Sequence, residues 1–344
     1  MPFPIDIPSA ANRQISADVV KRWNSLTKPP GSLGRLESLV EQLALSANHS
    51  RPSVARKAMA IFCSDHGITD EGISAFPKEV TRQMLLNFLS GGAAINVLCR
   101  QFQITPYIVD TGVDAEPVGG AINFRIARGT ANFLRGPAMS IAQAEQALHN
   151  GVTFAQDLQK TCDLAAVGEM GIGNTTSASA LFCAYKQIAP EDAVGPGTGL
   201  GKEGVRHKAD VLRRALDFHG SKSDPIEILA AFGGFEIATM AGFLLGAASV
   251  RLPVVVDGFI SSAAAMAAHA ISPAVLPYLF FSHVSAETAH RRLLAELNVQ
   301  PILDLDMRLG EGSGAAMAMP IFDAAIALYN NMATFTQGGV TNRE

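Results

Sequence analysis

The sequence predicts an α/β fold in which a parallel β-sheet is covered by helices on both faces. Short runs rich in β-branched or aromatic residues recur along the 344 residues, and each is followed by a glycine-containing loop and a helical pattern. Several of these runs are apolar almost throughout, as is typical of strands buried on both faces. Only 17% of the residues are charged and 48% are hydrophobic, so much of the chain is expected to be buried.

Six segments are candidate strands of this sheet: 58–63, 105–110, 164–168, 253–257, 278–282 and 301–305. Capping residues mark helix starts between them. Ser140 is followed by Gln143 three residues later, which is the pattern of a capping box. The dipeptide Asp224-Pro225 precedes Glu227 and predicts another helix start. The alternation of strands and helices therefore predicts stacked βα units.

The first 50 residues have a different organisation. Two helical patterns, 17–26 and 36–47, flank the loop KPPGSLG without any strand. We therefore assign residues 1–50 to a small helical subdomain and residues 51–314 to the α/β catalytic domain. The last helical stretch begins near residue 315, and we expect the segment 315–344 to join the helical subdomain.

Charge and hydropathy exclude two classes of partner. Lys and Arg number 27 against 31 Asp and Glu, and the formal net charge of −4 implies no surface for nucleic acid. The apolar stretch 237–250 is shorter than the roughly 20 residues that a bilayer-spanning helix needs. The longer stretch 258–286 contains two histidines and two prolines, so we expect no membrane span.

The cysteines and the amino terminus favour a cytoplasmic protein. The four cysteines are widely scattered and form no C-x-x-C pair, which favours reduced, buried thiols. The amino terminus has no basic region followed by an apolar one, so we expect no export signal.

Glycine-rich loops predict where a ligand binds, because ligands of an open parallel sheet lie beyond the carboxyl ends of its strands. The third candidate strand leads into GEMGIGNTT, residues 168–176, where free N–H groups at a helix start suit a phosphate. A tight strand-to-helix turn is the alternative. Glu169 favours a ligand site, since a carboxylate would repel phosphate unless it faced another part of the ligand.

A second glycine cluster, residues 195–202, precedes a helical pattern that contains Lys208. This lysine could complete an anion site, or it could be an ordinary solvated side chain.

Glu311 stands between glycines after the last candidate strand, at the start of an apolar helix. A carboxylate in such surroundings tends to have a raised pKa and is a candidate general base; an exposed turn residue is the alternative.

Two acidic motifs could bind a metal instead. Asp65 and His66 follow the first candidate strand and could be metal ligands, an acid/base pair or local capping residues. Asp304 and Asp306 imitate a D-x-D metal motif, which is the weaker hypothesis.

Taken in order, these motifs make the chain resemble the nicotinate-nucleotide:dimethylbenzimidazole phosphoribosyltransferases, which activate the lower-ligand base in cobalamin assembly. The resemblance rests on KPPGSLGRLE (28–37), DHGITDEGISAFPKEVTRQM (65–84), VDTGVDAEP (109–117), GEMGIGNTTSASA (168–180), VVDGFISSAAA (255–265) and MRLGEGSGAAMAMP (307–320). It implies a Rossmann-like sheet of about six strands with a small helical domain, a homodimer, and no cofactor or metal.

The resemblance also implies roles for individual residues. Glu311 would be the catalytic base and Glu169 a second active-site carboxylate. The nucleotide phosphate would be held by Gly171, Gly173, Asn174, Thr175 and Lys208. The aromatic base would lie near Phe76, Pro77, Met84 and Leu309.

The chemistry of this reaction is consistent with that set of residues. The substrates would be nicotinate mononucleotide and a benzimidazole-type base, and the pyridinium leaves as a neutral ring nitrogen without a metal, unlike pyrophosphate. A carboxylate that removes the benzimidazole N–H proton contributes about 10² to 10⁴ in rate. Attack from the face opposite nicotinate would give α-ribazole 5′-phosphate and nicotinate.

Two other functions remain open on the sequence. The first is a metal-dependent nucleotide hydrolase that uses Asp65, His66, Asp304 and Asp306. The second is a non-catalytic nucleotide sensor in which Glu311 is dispensable. Two glutamates inside glycine-rich loops argue against the sensor, because a mere phosphate binder would prefer neutral or basic residues there.

Overall fold

A six-stranded parallel sheet lies at the centre of the computed structural model, which describes residues 3–197 and 199–342. Its strands are β1 (Lys57–Ser64), β2 (Ile104–Gly112), β3 (Ile122–Asn123), β4 (Leu164–Met170), β5 (Val254–Val256) and β6 (Leu279–Phe281). They lie in the order β3-β2-β1-β4-β5-β6, and every neighbouring pair is parallel. This is the doubly wound order of a Rossmann fold, with its topological switch point between β1 and β4. The predicted fold class is confirmed.

The sixth strand of the sheet is not the one that the sequence predicts. The segment 301–305 contributes only β8 (Leu303–Asp304), which pairs with β7 (His283–Val284) in a separate two-stranded sheet. The N–H of Ile302 donates to the carbonyl of Phe281 at 3.0 Å, so this segment meets only the end of β6. The remaining place is taken by β3, whose two residues are too few for a periodic signal.

Fourteen α-helices are present in the described part of the chain. They are α1 (Arg13–Ser25), α2 (Arg35–Ser46), α3 (Glu79–Ser90), α4 (Ala94–Phe102), α5 (Ile141–Leu158), α6 (Asn174–Lys186), α7 (Pro190–Ala193), α8 (Lys202–His219), α9 (Pro225–Phe232), α10 (Phe235–Ser249), α11 (Phe259–Ile271), α12 (His290–Glu296), α13 (Ser313–Asn331) and α14 (Phe335–Gly338). Two 3₁₀ helices span Gly67–Glu71 and Pro273–Tyr278.

Both predicted helix caps are confirmed. The hydroxyl of Ser140 accepts the N–H of Gln143, whose side chain accepts the N–H of Ser140 in return. The carboxylate of Asp224 accepts the N–H groups of Ile226 and Glu227 at 2.8 and 3.1 Å. Each bond satisfies a donor that the first helical turn leaves free.

Alternate residues of the central strand face two different hydrophobic layers. In β1, Ala60 and Phe62 point into the layer that contains α5, α10 and α11, whereas Met59 and Ile61 point toward α3, α4 and α13. Both layers exclude water, which explains why the strand is apolar at every position. The apolar stretch 237–250 lies within α10 and its end, and no described helix has both the length and the apolar character needed to cross a bilayer.

A third cluster joins the amino-terminal helices to the end of the chain. Its buried residues include Ile15, Val19, Trp23, Val40, Ala44, Ala325 and Tyr329, from α1, α2 and the second half of α13. The first half of α13 packs on the sheet instead, through Met319 and Phe322. One helix thus contacts both regions, and the division of the chain at residues 50 and 314 stays a prediction.

Candidate active site

A cavity of about 260 Å³ opens beyond the carboxyl ends of β4 and β5. Six of the residues singled out in the sequence line it: Phe76, Glu169, Gly171, Asn174, Thr175 and Leu309. Loops from three chain segments that are far apart in the sequence therefore meet at one place. An open parallel sheet binds its ligands beyond the carboxyl ends of its strands, which is where this cavity lies.

Glu169 is a buried carboxyl group in the cavity wall. Its Oε2 accepts a hydrogen bond from the side-chain amide of Asn174, and Gly310 packs so closely that any side chain there would collide with Oε1. Burial raises the pKa of Glu169 to about 8; the Asn174 bond opposes this, and the charges of Asp257, Glu236 and Glu311 add to it. Glu169 is therefore largely protonated near neutral pH.

Glu311 lies on a tight turn but outside the cavity wall. Gly310, Glu311 and Gly312 all have positive φ, at 81°, 63° and 87°, so the chain makes three successive left-handed steps before α13. The Glu311 carboxylate faces the N–H of Ile95 in the first turn of α4, and its Oε2 is buried without a partner among the described residues. Burial raises the pKa of Glu311, with Asp257 adding to the shift and the Ile95 N–H opposing it.

The two glycine-rich loops meet at the predicted anion site. Lys208 is fully buried on α8, and its Nζ donates to the hydroxyl of Thr175 at 2.8 Å. Thr175 lies in the first turn of α6 and, with Gly197, lines the cavity. Burial lowers the pKa of Lys208 to about 8, although the charge of Glu287 opposes the shift. Of the second glycine cluster, Thr198 lies outside the described residues.

The residues predicted to surround the aromatic base are only partly brought together. Phe76 and Leu309 line the cavity and are 50% and 56% exposed, so apolar surface is available there. Pro77 is exposed and Met84 is half-buried on α3, and neither belongs to the cavity wall. Gly173 precedes α6 as its N-cap, beside the cavity residues Gly171 and Asn174.

The four residues of the hydrolase alternative do not form one site, and three of them already contact other side chains or backbone groups. Asp65 accepts the N–H of Asp114 at 2.8 Å. The buried imidazole of His66 lies between Ser177 Oγ at 2.9 Å and Glu236 Oε1 at 2.6 Å. Asp304 and Asp306 are exposed, and Asp304 pairs with Arg291 at 3.2 Å. Within residues 3–197 and 199–342, no three His, Cys, Asp or Glu side chains are grouped so as to hold a metal ion.

Sequence reasoning missed several polar residues of the cavity: Asp257, His283, Ser285, Glu287 and Arg308. Asp257 follows β5 directly, and its place at a strand end was a signal that could have found it. Ser285 and Glu287 follow β7, which has only two residues and is not followed by a glycine-rich loop, so the sequence gives no signal for them.

Comparison with known proteins gives consistent matches over nearly the whole chain. A family model described as phosphoribosyltransferase matches residues 8–340. The nicotinate-nucleotide–dimethylbenzimidazole phosphoribosyltransferase of Pelodictyon phaeoclathratiforme is 46% identical over 98% of this chain and 97% of its own length. The protein of the same name from Pseudomonas fluorescens is 47% identical over 97% of this chain and 96% of its own length. The crystal structure of CobT from Thermus thermophilus matches with a TM-score of 0.92 and 42% identity, covering 96% of this chain and 100% of that one.

Proposed function

This chain belongs to the nicotinate-nucleotide–dimethylbenzimidazole phosphoribosyltransferase family, and from that premise we propose that it is the enzyme that transfers the 5-phosphoribosyl group of nicotinate mononucleotide to 5,6-dimethylbenzimidazole or a related base. The products are α-ribazole 5′-phosphate and nicotinate, made during assembly of the cobalamin nucleotide loop. One observation carries the proposal: a single cavity has Thr175, bound to the ammonium group of Lys208, and the buried carboxyl of Glu169 in its wall.

The nucleotide phosphate binds at the start of α6. Lys208 supplies a positive charge, Thr175 a hydroxyl, and the loop from Gly171 to Asn174 the backbone of a helix start. The cationic pyridinium then lies toward Glu169, because a carboxylate attracts the positive ring and repels the phosphate. Glu169 and Lys208 thus recognise opposite charges on one substrate.

The aromatic base lies on the apolar surface of Phe76 and Leu309. Glu311, which follows the cavity residue Gly310 in the chain, removes the N–H proton of the base. A bond forms from the other ring nitrogen of the base to C1′ while the C1′–nitrogen bond to nicotinate breaks, and the electron pair of the broken bond stays on the nicotinate nitrogen. The base attacks the face opposite nicotinate, so the β-nucleotide becomes an α-riboside phosphate.

Assembly and location are part of the proposal. We infer a homodimer from the resemblance of the motifs to the family. We infer a cytoplasmic enzyme because the four cysteines are buried and free, which suits a reducing compartment.

The decisive experiment mixes the protein with nicotinate mononucleotide and a panel of benzimidazole, purine and phenolic bases, and resolves the products by mass. We expect the α-riboside phosphate of at least one base, with nicotinate released in equal amount and only when base is present. Release of nicotinate and ribose 5-phosphate without base would instead establish a hydrolase. Nucleotide binding without turnover for any base would establish a sensor.

A further inference from the structure

Asp257 connects the end of β5 to the backbone on the carboxyl side of Glu311. Its Oδ2 accepts the N–H of Gly312 at 3.1 Å, and its Oδ1 accepts the N–H of Ala315 at 3.0 Å. Asp257 is 1% exposed, so these bonds are made out of contact with water. Gly312 and Ala315 are the N-cap and third residue of α13, and the carboxylate therefore fixes the point where this helix begins.

The turn that Asp257 holds needs such support. Glu311 has a φ of 63°, which is uncommon for a residue with a side chain. On the other side of the turn, Gly168 of β4 lies so close to the Glu311 carbonyl that a Cβ at position 168 would collide with it. The turn is thus enclosed between β4 and the Asp257 carboxylate, and its left-handed conformation is determined by both.

Asp257 also acts on the two glutamates through its charge. It raises the pKa of Glu311 and the pKa of Glu169, in both cases after the larger effect of burial. The groups that face this cluster are Glu236, which acts on Glu169, and His283, whose Nδ1 lies 3.8 Å from Asp257 Oδ1. Burial raises the pKa of Asp257 itself, while His283 and three backbone N–H groups oppose the shift.

We propose that Asp257 is a positioning residue for the transfer reaction, holding the Glu311 turn in place and keeping a negative charge beside Glu311 and Glu169. The proposal rests on the proposed function for its kinetic consequence, but the placement and the charge effect are properties of the unliganded protein. No role for this residue followed from the motifs of the sequence, because its two partners lie 55 and 58 residues away along the chain.

The test is Asp257→Asn. The amide oxygen can keep one of the two backbone bonds, but the NH₂ group then faces an N–H donor, and the negative charge is lost. We expect kcat to fall by about 10-fold or more with the nucleotide dissociation constant nearly unchanged, and the acid limb of the kcat profile to move to lower pH. Loss of kcat with an unmoved acid limb would reduce Asp257 to a structural residue and overturn the proposal.

A second readout needs no catalysis. In protein labelled with ¹³C at glutamate carboxyl carbons, the signals of Glu169 and Glu311 are assigned from Glu169→Gln and Glu311→Gln and titrated with pH. Both should titrate at lower pH in Asp257→Asn, and unchanged titrations would overturn the proposal even if the transfer reaction itself were not found. If the product assay detects no transfer but both glutamate titrations shift in Asp257→Asn, only the proposed function is refuted.

The matched control is Asp224→Asn, since Asp224 caps α9 with one oxygen that accepts two N–H groups and its amide can keep both. It should leave kcat and both titrations unchanged.

Should Asp257→Asn fail to fold, the smaller uncharged Asp257→Ser replaces it. Hydrogen exchange of the wild-type protein then gives an independent measure of the two backbone hydrogen bonds. The peptide containing Gly312 and Ala315 should exchange slowly, and rapid exchange would contradict the hydrogen bonds to Asp257.

Discussion

The ammonium nitrogen of Lys208 lies 2.8 Å from the hydroxyl oxygen of Thr175, which joins the middle of α8 to the first turn of α6. Lys208 is completely buried, and it forms no ion pair with a carboxylate in residues 3–197 and 199–342. The charge of Glu287 favours the ammonium form of Lys208 but forms no ion pair with it, and a buried cation without a paired anion is costly. Together with the helix start at Asn174, this arrangement favours an anionic group of the ligand beside Lys208.

Replacing Lys208 should chiefly weaken nucleotide binding. Lys208→Met fills most of the same volume but removes the charge, and loss of a buried phosphate contact of this kind costs about 2 kcal/mol or more, or about 30-fold in affinity. Calorimetry with nicotinate mononucleotide measures the change. Lys160→Met, at an exposed lysine, is the control and should bind normally. An unchanged dissociation constant in folded Lys208→Met would remove Lys208 from the site.

Phosphate binding should also depend on pH through Lys208. Its pKa is lowered to about 8, so the ammonium form that binds phosphate is present below that pH and is lost above it. The second ionisation of a phosphate ester lies near pH 6, so the ligand keeps its charge at higher pH. Affinity for ribose 5-phosphate, which lacks the pyridinium, should therefore decline as pH rises from about 7 to 9. A flat profile in the wild type, or an equal decline in Lys208→Met, would contradict this origin.

Glu311→Gln tests the general base. Glutamine keeps the shape of the side chain and an oxygen that can face the Ile95 N–H, so the fold should survive while basicity is lost. Turnover should fall by about 10² or more with nucleotide binding nearly unchanged. Since burial raises the pKa of Glu311, wild-type activity should decline as pH falls through that raised pKa and the base becomes protonated.

The control for Glu311 is Glu145→Gln, at an exposed position on α5, which should retain full turnover. The comparison that decides between the two active-site carboxylates is Glu169→Gln. Near-wild-type turnover of Glu311→Gln with dimethylbenzimidazole from about pH 6 to pH 9 would refute the assignment and make Glu169 the leading candidate.

The fold was accessible from the sequence because its signals are local. Each long strand is an apolar run between loops, and each helix start such as Ser140 carries its own cap. The errors lie where local signals are short. β3 has only two residues, and the segment 301–305 contributes a two-residue strand that pairs with β7 outside the main sheet.

The site was only partly accessible, because some of its contacts depend on distant parts of the fold. The glycine-rich loop at Glu169 and the helix that carries Lys208 could be recognised separately, and their residues meet as expected. The direction of the Glu311 carboxylate, toward the first turn of α4, depends on how that helix packs beside α13. No periodicity or motif in the chain encodes that packing.

Transfer activity should survive exhaustive chelation. The leaving pyridinium carries its own positive charge, so its departure needs no metal to neutralise it. Asp65 and His66, the residues of the metal alternative, are already bonded to Asp114, Ser177 and Glu236. Turnover measured after dialysis against EDTA should stay within about twofold of the untreated enzyme. Loss of turnover that Mg²⁺, Mn²⁺ or Zn²⁺ restores would revive the metal-dependent hydrolase.

Binding of nicotinate mononucleotide should release a proton from Glu169. Burial raises the pKa of this carboxyl to about 8, so at pH 7 it holds its proton in the unliganded protein. The pyridinium of the substrate favours the carboxylate form and should lower that pKa, whereas Lys208, with a pKa of about 8, is already largely protonated and takes up little. Calorimetric titrations at pH 7 in two buffers of different ionisation enthalpy measure the protons exchanged.

Two controls isolate the proton release. Glu169→Gln removes the titrating group, and ribose 5-phosphate as the ligand lacks the cationic ring. Either change should abolish the release, and equal release in both proteins would assign the proton to another group.

The raised pKa of Glu169 also affects the stability of the fold. A proton that is bound more tightly in the folded state stabilises that state at low pH, and this contribution is lost as pH rises toward about 8. The side chain of Glu169→Gln is neutral at every pH. The melting temperature of this variant minus that of the wild type should therefore rise between about pH 5 and pH 9. A difference that stays constant over this range would show that Glu169 is ionised throughout.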